Sequence, residues 1–232
     1  MTVDYCELSS SVTCENQQYV SASAAVTQEK AGKFHDTIIG LELKSRITID
    51  PNAFQASPNL NYVEGIDRGL TLNSYARFDE YSFEGNKNLN TVNLTGTLVV
   101  LRNYSLANCP NLHNVVFGKV YGRYSDSPTV SSIIYGNVFY GSNILVLDMG
   151  TTNFYEPRMF NGSSINTMIL GSPSKFYFYE DDTSSFTIDT LVVTDTSVPL
   201  STTTDLSVLA DRVTRSIQTP DGTCPTNLIN YY

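Results

Sequence analysis

One apolar phrase recurs along this chain and constrains its fold more than any other feature. Its clearest copy starts at Phe83, and further apolar residues follow at Leu89, Val92 and Leu94. Other copies, complete or shortened, start at Phe54, Leu106, Phe139 and Phe160. Fragments keep only the tail, as Ile38, Leu41 and Leu43, or Ile188, Leu191 and Val193. A period of about 20–30 residues is the signature of stacked units that share one core.

A second apolar position stands five residues ahead of each copy. It is occupied by Ile49, Phe78, Leu101, Ile134 and Tyr155. The copies start 29, 23, 33 and 21 residues apart, so the spacing inside a copy is kept while the length between copies varies. The variable residues are therefore predicted to form loops on one side of each coil.

The tail of each copy predicts a short strand, because Val92 and Leu94 alternate with polar Asn93 and Thr95. Stacked copies should pair these strands in a parallel sheet. The predicted strands lie near 41–43, 63–65, 92–94, 115–117, 147–149, 168–170 and 191–193. The expected fold is a right-handed, β-rich solenoid of the α/β type, with about seven irregular coils, a parallel sheet on one face and capped ends.

The phrase resembles the repeats of the BspA-like leucine-rich repeat family, which usually carry an Ala-Phe pair, a Cys or Asn three residues on, then Leu and Val. The matching segments are Ala53-Phe54-x5-Leu60-x2-Val63, Ser82-Phe83-x2-Asn86-x2-Leu89-x2-Val92-x-Leu94 and Leu106-x2-Cys109-x2-Leu112-x2-Val115-x-Phe117. The resemblance covers roughly residues 37–195. It implies a surface-exposed or secreted, non-catalytic module for adhesion or ligand recognition. The implied partner is a host or neighbouring protein, or a glycan.

Related arrays also occur in phage proteins, so the alternative function is a structural component of a virion or surface layer that uses the strand face as a subunit contact. The first residues, 1–6, have neither the basic start nor the apolar stretch of an export leader. Two expectations follow: an extracellular or cell-surface protein whose leader has been removed, or a phage virion protein that never uses that export route.

The ends of a solenoid expose core and need caps. Residues 1–36 carry few periodic apolar positions and are predicted to be an N-terminal cap, residues 37–195 the repeat array, and residues 196–232 a C-terminal cap. The apolar residues Leu206, Leu209, Val213 and Ile217 follow Asp205 at helical spacing and predict a short helix over 205–217.

The four cysteines give two different signals. Cys109 occupies a repeat position and is predicted to be a free thiol in the core. Cys6 and Cys14 lie eight residues apart and are candidates for a disulfide that closes the N-terminal cap in an oxidising compartment. The sequence leaves open a pairing of either one with Cys224.

Composition excludes several function classes. The net charge of −9 argues against nucleic acid, which needs clustered Lys and Arg. No apolar run is long enough for a membrane span. With two histidines, no C-x-x-C and no nucleophile or phosphate-loop motif, the chain is predicted to be no enzyme and to hold no metal or cofactor.

What remains is binding surface. The outward strand positions form one row of residues, namely Glu42, Glu64, Asn93, Val116, Asp148, Ile169 and Val192. The first half of this row is polar and acidic and the second half is mostly apolar. An exposed apolar row marks an interface, unless a loop from one of the longer repeats covers it.

The longest repeat inserts residues 118–130, which carry Tyr121, Arg123 and Tyr124. Long insertions are often functional, and Tyr offers aromatic contact area with a polar tip. We predict that this loop and the apolar end of the row form the recognition surface. The predicted binding residues are Tyr121, Arg123, Tyr124, Val116, Ile169 and Val192. The competing interpretation makes the same residues a contact between subunits.

Overall fold

The computed structural model describes residues 4–44, 47–65, 75–119, 136–150, 157–170, 185–194 and 212–218. Its strands are β1 (Cys6–Leu8), β2 (Tyr19–Ala22), β3 (Gly40–Leu43), β4 (Ile47–Ile49), β5 (Tyr62–Gly65), β6 (Tyr75–Phe78), β7 (Thr91–Leu101), β8 (Leu112–Lys119), β9 (Asn143–Asp148), β10 (Ser164–Leu170), β11 (Thr187–Val193) and β12 (Val213–Gln218). One α-helix, α1 (Gln28–Gly32), and one 3-10 turn (Pro157–Phe160) complete the described elements.

The main row of strands follows chain order as β1-β2-β3-β5-β7-β8-β9-β10-β11-β12, and every pairing is parallel. All seven predicted strands lie in this row. Val92 pairs with Val115, as the repeat spacing predicted. The parallel, β-rich repeat fold is therefore confirmed.

A second, shorter row of strands lies beside the main one. β4 pairs with β6, and β6 pairs with the end of β7, so that Ile49, Phe78 and Leu101 stand in register. Val26 forms a parallel bridge to Ile49 and extends this row by one coil. These residues are the apolar positions that precede each copy of the phrase. The two later ones, 134 and 155, lie outside the described residues.

The turn side of each coil is hydrogen-bonded to the next coil as well. The N–H of Phe54 donates to Ser82 O at 2.8 Å, and the N–H of Phe83 donates to Ser105 O at 2.9 Å. The same bond links Leu106 to the next coil at 3.0 Å. Positive φ angles flank these residues two positions before and after, for example 59° at Tyr81 and 73° at Gly85. The φ angle thus changes sign along the turn, and the N–H groups point towards the neighbouring coil.

The leading residues of the copies form the predicted buried ladder. Phe54, Phe83, Leu106, Phe139 and Phe160 all have no exposed surface. Within the ladder, Phe54 and Phe83 stack with ring centroids 5.4 Å apart, and Phe139 and Phe160 stack at 6.0 Å. Phe34 packs on Phe54 and Phe186 packs on Phe160, so the ladder is one coil longer at each end than the phrase predicted.

A buried polar position follows each ladder residue by three. It is held by Ser57, Asn86, Cys109, Ser142 and Ser163. Asn86 Nδ2 donates to the carbonyls of both Phe54 and Phe83 at 2.7 Å, and the Ser142 hydroxyl donates to Leu106 O at 2.8 Å. These side chains therefore stabilise carbonyls that the turn leaves inside the core. Cys109 is buried and free, as predicted, and its Sγ lies 3.3 Å from Phe83 O.

The number of coils was underestimated, because the sheet continues beyond residues 37–195 at both ends. Segment 1–36 was expected to be irregular, but it contributes β1 and β2 to the main row. Small residues hide the pattern there, since Cys6 and Ala22 occupy positions where other coils carry Leu or Val. Cys6 and Cys14 are joined by a disulfide, which closes the loop after β1.

The predicted helix over 205–217 is wrong in its last part, because residues 213–218 form β12. Residues 205–211 lie outside the described residues. Val213 pairs with Ile188, and Ile217 pairs with Leu191, with a register shift between the two pairs. The four-residue step from 213 to 217 looked helical in sequence. In the structure, Val213 and Ile217 pair with Ile188 and Leu191, which are only three residues apart, and the extra residue of β12 forms a bulge.

Candidate binding face

The register of the strands places the predicted outward residues in a single row, which we call the outer stripe. It consists of Glu7, Ser21, Glu42, Glu64, Asn93, Val116, Asp148, Ile169, Val192 and Gln218, each paired with the next across a strand. Neighbouring strands lie about 4.8 Å apart, so consecutive stripe residues are separated by about this distance. Ser21 is buried, whereas the stripe residues from Glu42 to Val192 are partly or fully accessible and form a continuous surface across β3, β5 and β7 to β11.

The acidic half of the stripe is held by hydrogen bonds between strands. The Tyr5 hydroxyl donates to Glu64 Oε1 at 3.2 Å and lies 2.7 Å from the Tyr62 hydroxyl. Because the Tyr5 proton goes to the carboxylate, Tyr62 is the donor to Tyr5. Burial raises the pKa of both tyrosines above the usual value, so both stay neutral donors at physiological pH.

Two further contacts fix the carboxylates of this half. Ser21 Oγ donates to Glu42, and Lys44 forms an ion pair with Glu7. The Tyr62 ring lies over Gly40, where a Cβ atom would fall 2.2 Å from the ring. Only glycine at position 40 leaves room for that ring, so the shape of this half depends on one residue without a side chain.

The apolar half of the stripe contains the three predicted residues Val116, Ile169 and Val192. The structure brings them together on β8, β10 and β11, with Asp148 of β9 between Val116 and Ile169. All three are half-buried. Asp148 Oδ1 accepts a hydrogen bond from Gly150 N at 2.9 Å, which fixes the carboxylate within the apolar half. The other predicted residues, Tyr121, Arg123 and Tyr124, lie outside the described part of the chain.

A groove that the sequence did not predict lies where β8 to β11 begin. It has a volume of about 390 Å³ and contains His113, Asn143, Leu145, Asn166, Thr187 and Asp189 in its lining. We call it the entry groove. Leu145 is 48 % exposed. One signal in the sequence could have indicated this groove. Leu145 is the apolar member of an outward row in which the equivalent positions of neighbouring strands are polar, namely Asn61, Asn90, His113, Asn166 and Asp189.

The turn side carries a second unpredicted feature, a row of tyrosines on three neighbouring coils. Tyr81 and Tyr104 stack with ring centroids 5.2 Å apart, and Tyr140 packs edge-on against Tyr104 at 6.0 Å. Tyr81 and Tyr140 are exposed, at 37 % and 42 %. Tyr81 and Tyr104 both have φ near 59°, a conformation that is uncommon for a bulky side chain.

The described residues contain no group of three metal-ligating side chains. His35 Nδ1 contacts Asp36 at 2.8 Å and its Nε2 contacts Gln55 O at 3.0 Å, whereas His113 Nδ1 contacts Asn90 at 2.7 Å. Each imidazole is therefore hydrogen-bonded to other residues of the coils. Among the described helices, none has the length and apolar character needed to cross a membrane.

Comparison with known families gives one match. The model of the BspA type leucine-rich repeat region matches six copies, over residues 12–127 and 47–179. The match begins within the segment that contributes β1 and β2, in agreement with the extended sheet. No curated protein shows a significant match to the chain.

Proposed function

The chain belongs to the BspA-type leucine-rich repeat family, whose repeats generally serve as non-catalytic scaffolds for protein interaction, and on this premise we propose that the outer stripe recognises a protein partner at a cell surface. The observation that supports this proposal most directly is the register of the stripe. Seven neighbouring strands, β3, β5 and β7 to β11, present accessible residues in one row. A row of this kind gives a long, rigid contact surface.

The chemistry of the stripe defines the partner. The carboxylates of Glu42 and Glu64 lie on adjacent strands and are held by Ser21 and Tyr5. Fixed carboxylates favour a basic patch on the partner and raise the rate of encounter, an effect that salt weakens. The apolar half offers half-buried Val116, Ile169 and Val192, which favour a matching apolar patch. The proposed partner therefore combines a basic patch with an apolar patch.

The disulfide supports an extracellular location for the proposed module. Disulfides persist in oxidising compartments and are rare in reducing ones. The Cys6–Cys14 bond closes a loop that contains the exposed Val12 and lies beside the first strand of the main row. The proposed location is the cell surface or the extracellular space.

The test uses the Ile169→Glu variant. The intact protein is screened against an array of purified cell-surface ectodomains and an array of glycans. We expect Ile169→Glu to weaken binding to any ectodomain found by at least about tenfold, which corresponds to 1.4 kcal/mol. The matched control is Val12→Glu, which places the same charge at an exposed apolar residue of the loop after β1, near the opposite end of the main row from Ile169. Equal binding by the Ile169→Glu variant and the parent, or equal loss in the control, contradicts the proposal.

The same proteins test the sequence-based expectation for the long loop. A Tyr121→Ser/Tyr124→Ser variant should lose binding with an unchanged molecular mass and melting temperature. If this variant instead breaks up an oligomer, the residues form a subunit contact and the structural role in a virion or surface layer is favoured. If neither property changes, the loop has no part in recognition.

A further inference from the structure

The entry groove has a chemistry of its own and lies apart from the outer stripe. Apart from Pro110, its lining residues belong to the first three positions of β8 to β11, whereas the stripe residues come later in each strand. Along β9 the inward residues Ile144 and Leu147 are three apart, so Leu145 and Val146 both face outward. Leu145 is exposed at this step and lies among the polar side chains of the groove.

The polar lining of the groove supplies both donors and acceptors in fixed positions. Asp189 Oδ1 accepts from the Thr214 hydroxyl at 2.8 Å, and Asn143 Oδ1 accepts from the Ser164 hydroxyl at 2.8 Å. Asn90 Nδ2 lies 2.7 Å from His113 Nδ1. Since the amide nitrogen donates, His113 Nδ1 accepts, and the neutral imidazole carries its proton on Nε2. The His113 ring is therefore set as a donor.

These features exclude most ligand classes. The Asp189 carboxylate and the net charge of −9 disfavour an anion. A divalent cation such as Ca²⁺ is usually bound by several carboxylates, and the lining of the groove contains one acidic residue, Asp189. A purely apolar ligand would desolvate His113 and Asp189 without giving them partners. A neutral compound with many hydroxyl groups and some C–H surface fits both the mixed donors and acceptors of the lining and the exposed Leu145.

We propose that the entry groove binds a neutral saccharide, with its hydroxyl groups on Asn143, Asn166, Asp189 and His113 and its C–H surface on Leu145. The volume of about 390 Å³ lies within the range of small-molecule sites. A hydroxyl both donates and accepts, which matches a lining of amides, a carboxylate and an imidazole. This site is separate from the proposed protein-binding stripe, and neither one requires the other.

The experiment is saturation-transfer NMR with the full chain and millimolar methyl glycosides of glucose, galactose, mannose and N-acetylglucosamine. At least one glycoside should show transfer. Asn166→Ala and Leu145→Ser should each weaken its binding by about tenfold. Both residues are exposed, so these variants should fold, and an unchanged melting temperature verifies this.

The matched control is Asn61→Ala, since Asn61 occupies the same position of the row as Asn166 but lies on β5's coil, outside the groove. Saturation transfer that survives in the control and is lost in the two groove variants supports the proposal. An absence of transfer with every glycoside overturns it. Transfer that persists in both groove variants, or that is lost equally in Asn61→Ala, overturns it as well.

Discussion

At the scale of single residues, Phe83 and its equivalents form the buried core that joins neighbouring coils. Phe54 stacks on Phe83 and Phe139 stacks on Phe160 in neighbouring coils. A buried polar side chain three positions later binds nearby carbonyls, as Asn86 and Ser142 do. The phrase predicted these positions because a large apolar residue recurs at a fixed distance from the strand. It did not predict Phe34 and Phe186. In a complete copy the next apolar residue follows six positions later, whereas Ile38 follows Phe34 by four and Ile188 follows Phe186 by two.

Phe83→Ala should lower the free energy of unfolding by about 3–5 kcal/mol, because it leaves a cavity between Phe54 and Phe78, both in ring contact with Phe83. Urea denaturation measures this change. Phe83→Leu is the control and should cost less than about 1.5 kcal/mol, since Leu106 already occupies the equivalent position. A loss below about 1 kcal/mol for Phe83→Ala would contradict the role of Phe83 in the core.

Ser82 and Ser142 should respond oppositely to replacement by alanine. The buried Ser82 hydroxyl has no hydrogen-bond partner among the described residues, and Ala53 stands at the same position one coil earlier. Ser82→Ala should therefore leave stability unchanged or raise it by about 1 kcal/mol. Ser142→Ala should lower it by about 1–3 kcal/mol, because Cys109 N and Leu106 O lose a partner. Chemical denaturation of the two variants side by side decides this, and a loss in both would show that Ser82 is satisfied.

Cys109 should be inert in the folded protein. Burial raises the pKa of its thiol to about 12, so almost no thiolate is present at neutral pH. In a Cys224→Ser background, an aromatic disulfide reagent at pH 8 should label Cys109 only after denaturant is added. The same pKa shift has a stability consequence: above pH 9 the unfolded thiol ionises while the folded one stays protonated, so stability falls as pH rises from 9 towards 12. Rapid labelling without denaturant would show that the thiol is accessible.

At the scale of elements, the strands with large apolar residues were predictable and the end strands were not. The seven central strands follow the spacing of Leu and Val. β1 and β2 use small residues, and a bulge in β12 imitates a helical step. The stripe followed from alternation along a strand. The entry groove did not, because it depends on how side chains at the starts of β8 to β11 enclose a depression, which the sequence pattern does not show.

The disulfide should act locally on the first two strands. β1 is the outermost described strand of the main row and pairs only through three residues with β2. A Cys6→Ser/Cys14→Ser variant should exchange the amide hydrogens of β1 and β2 faster, whereas those of β7 and β8 should keep their protection. Hydrogen-exchange mass spectrometry measures both regions in one sample, so β7 and β8 serve as the internal control. Unchanged exchange at β1 would show that packing alone holds that strand.

At the scale of the whole molecule, the chain is an array in which order along the sequence equals order in space. Neighbouring coils are joined in the main row, in the second row and along the turns. Loops between these rows vary in length without changing how the coils pair. This explains why copies of the phrase start at unequal intervals while Val92 still pairs with Val115.

The common direction of these hydrogen bonds has a mechanical consequence. The bonds of all three rows run from one coil to the next, so a force applied at the two ends of the array pulls along them. Each coil boundary can then open without the others, and the weakest boundary opens first. Coils should peel away successively at low force and should not rupture together. Single-molecule stretching of the tethered chain should therefore show a staircase of small extensions. One large extension at high force would mean that the coils resist as a unit.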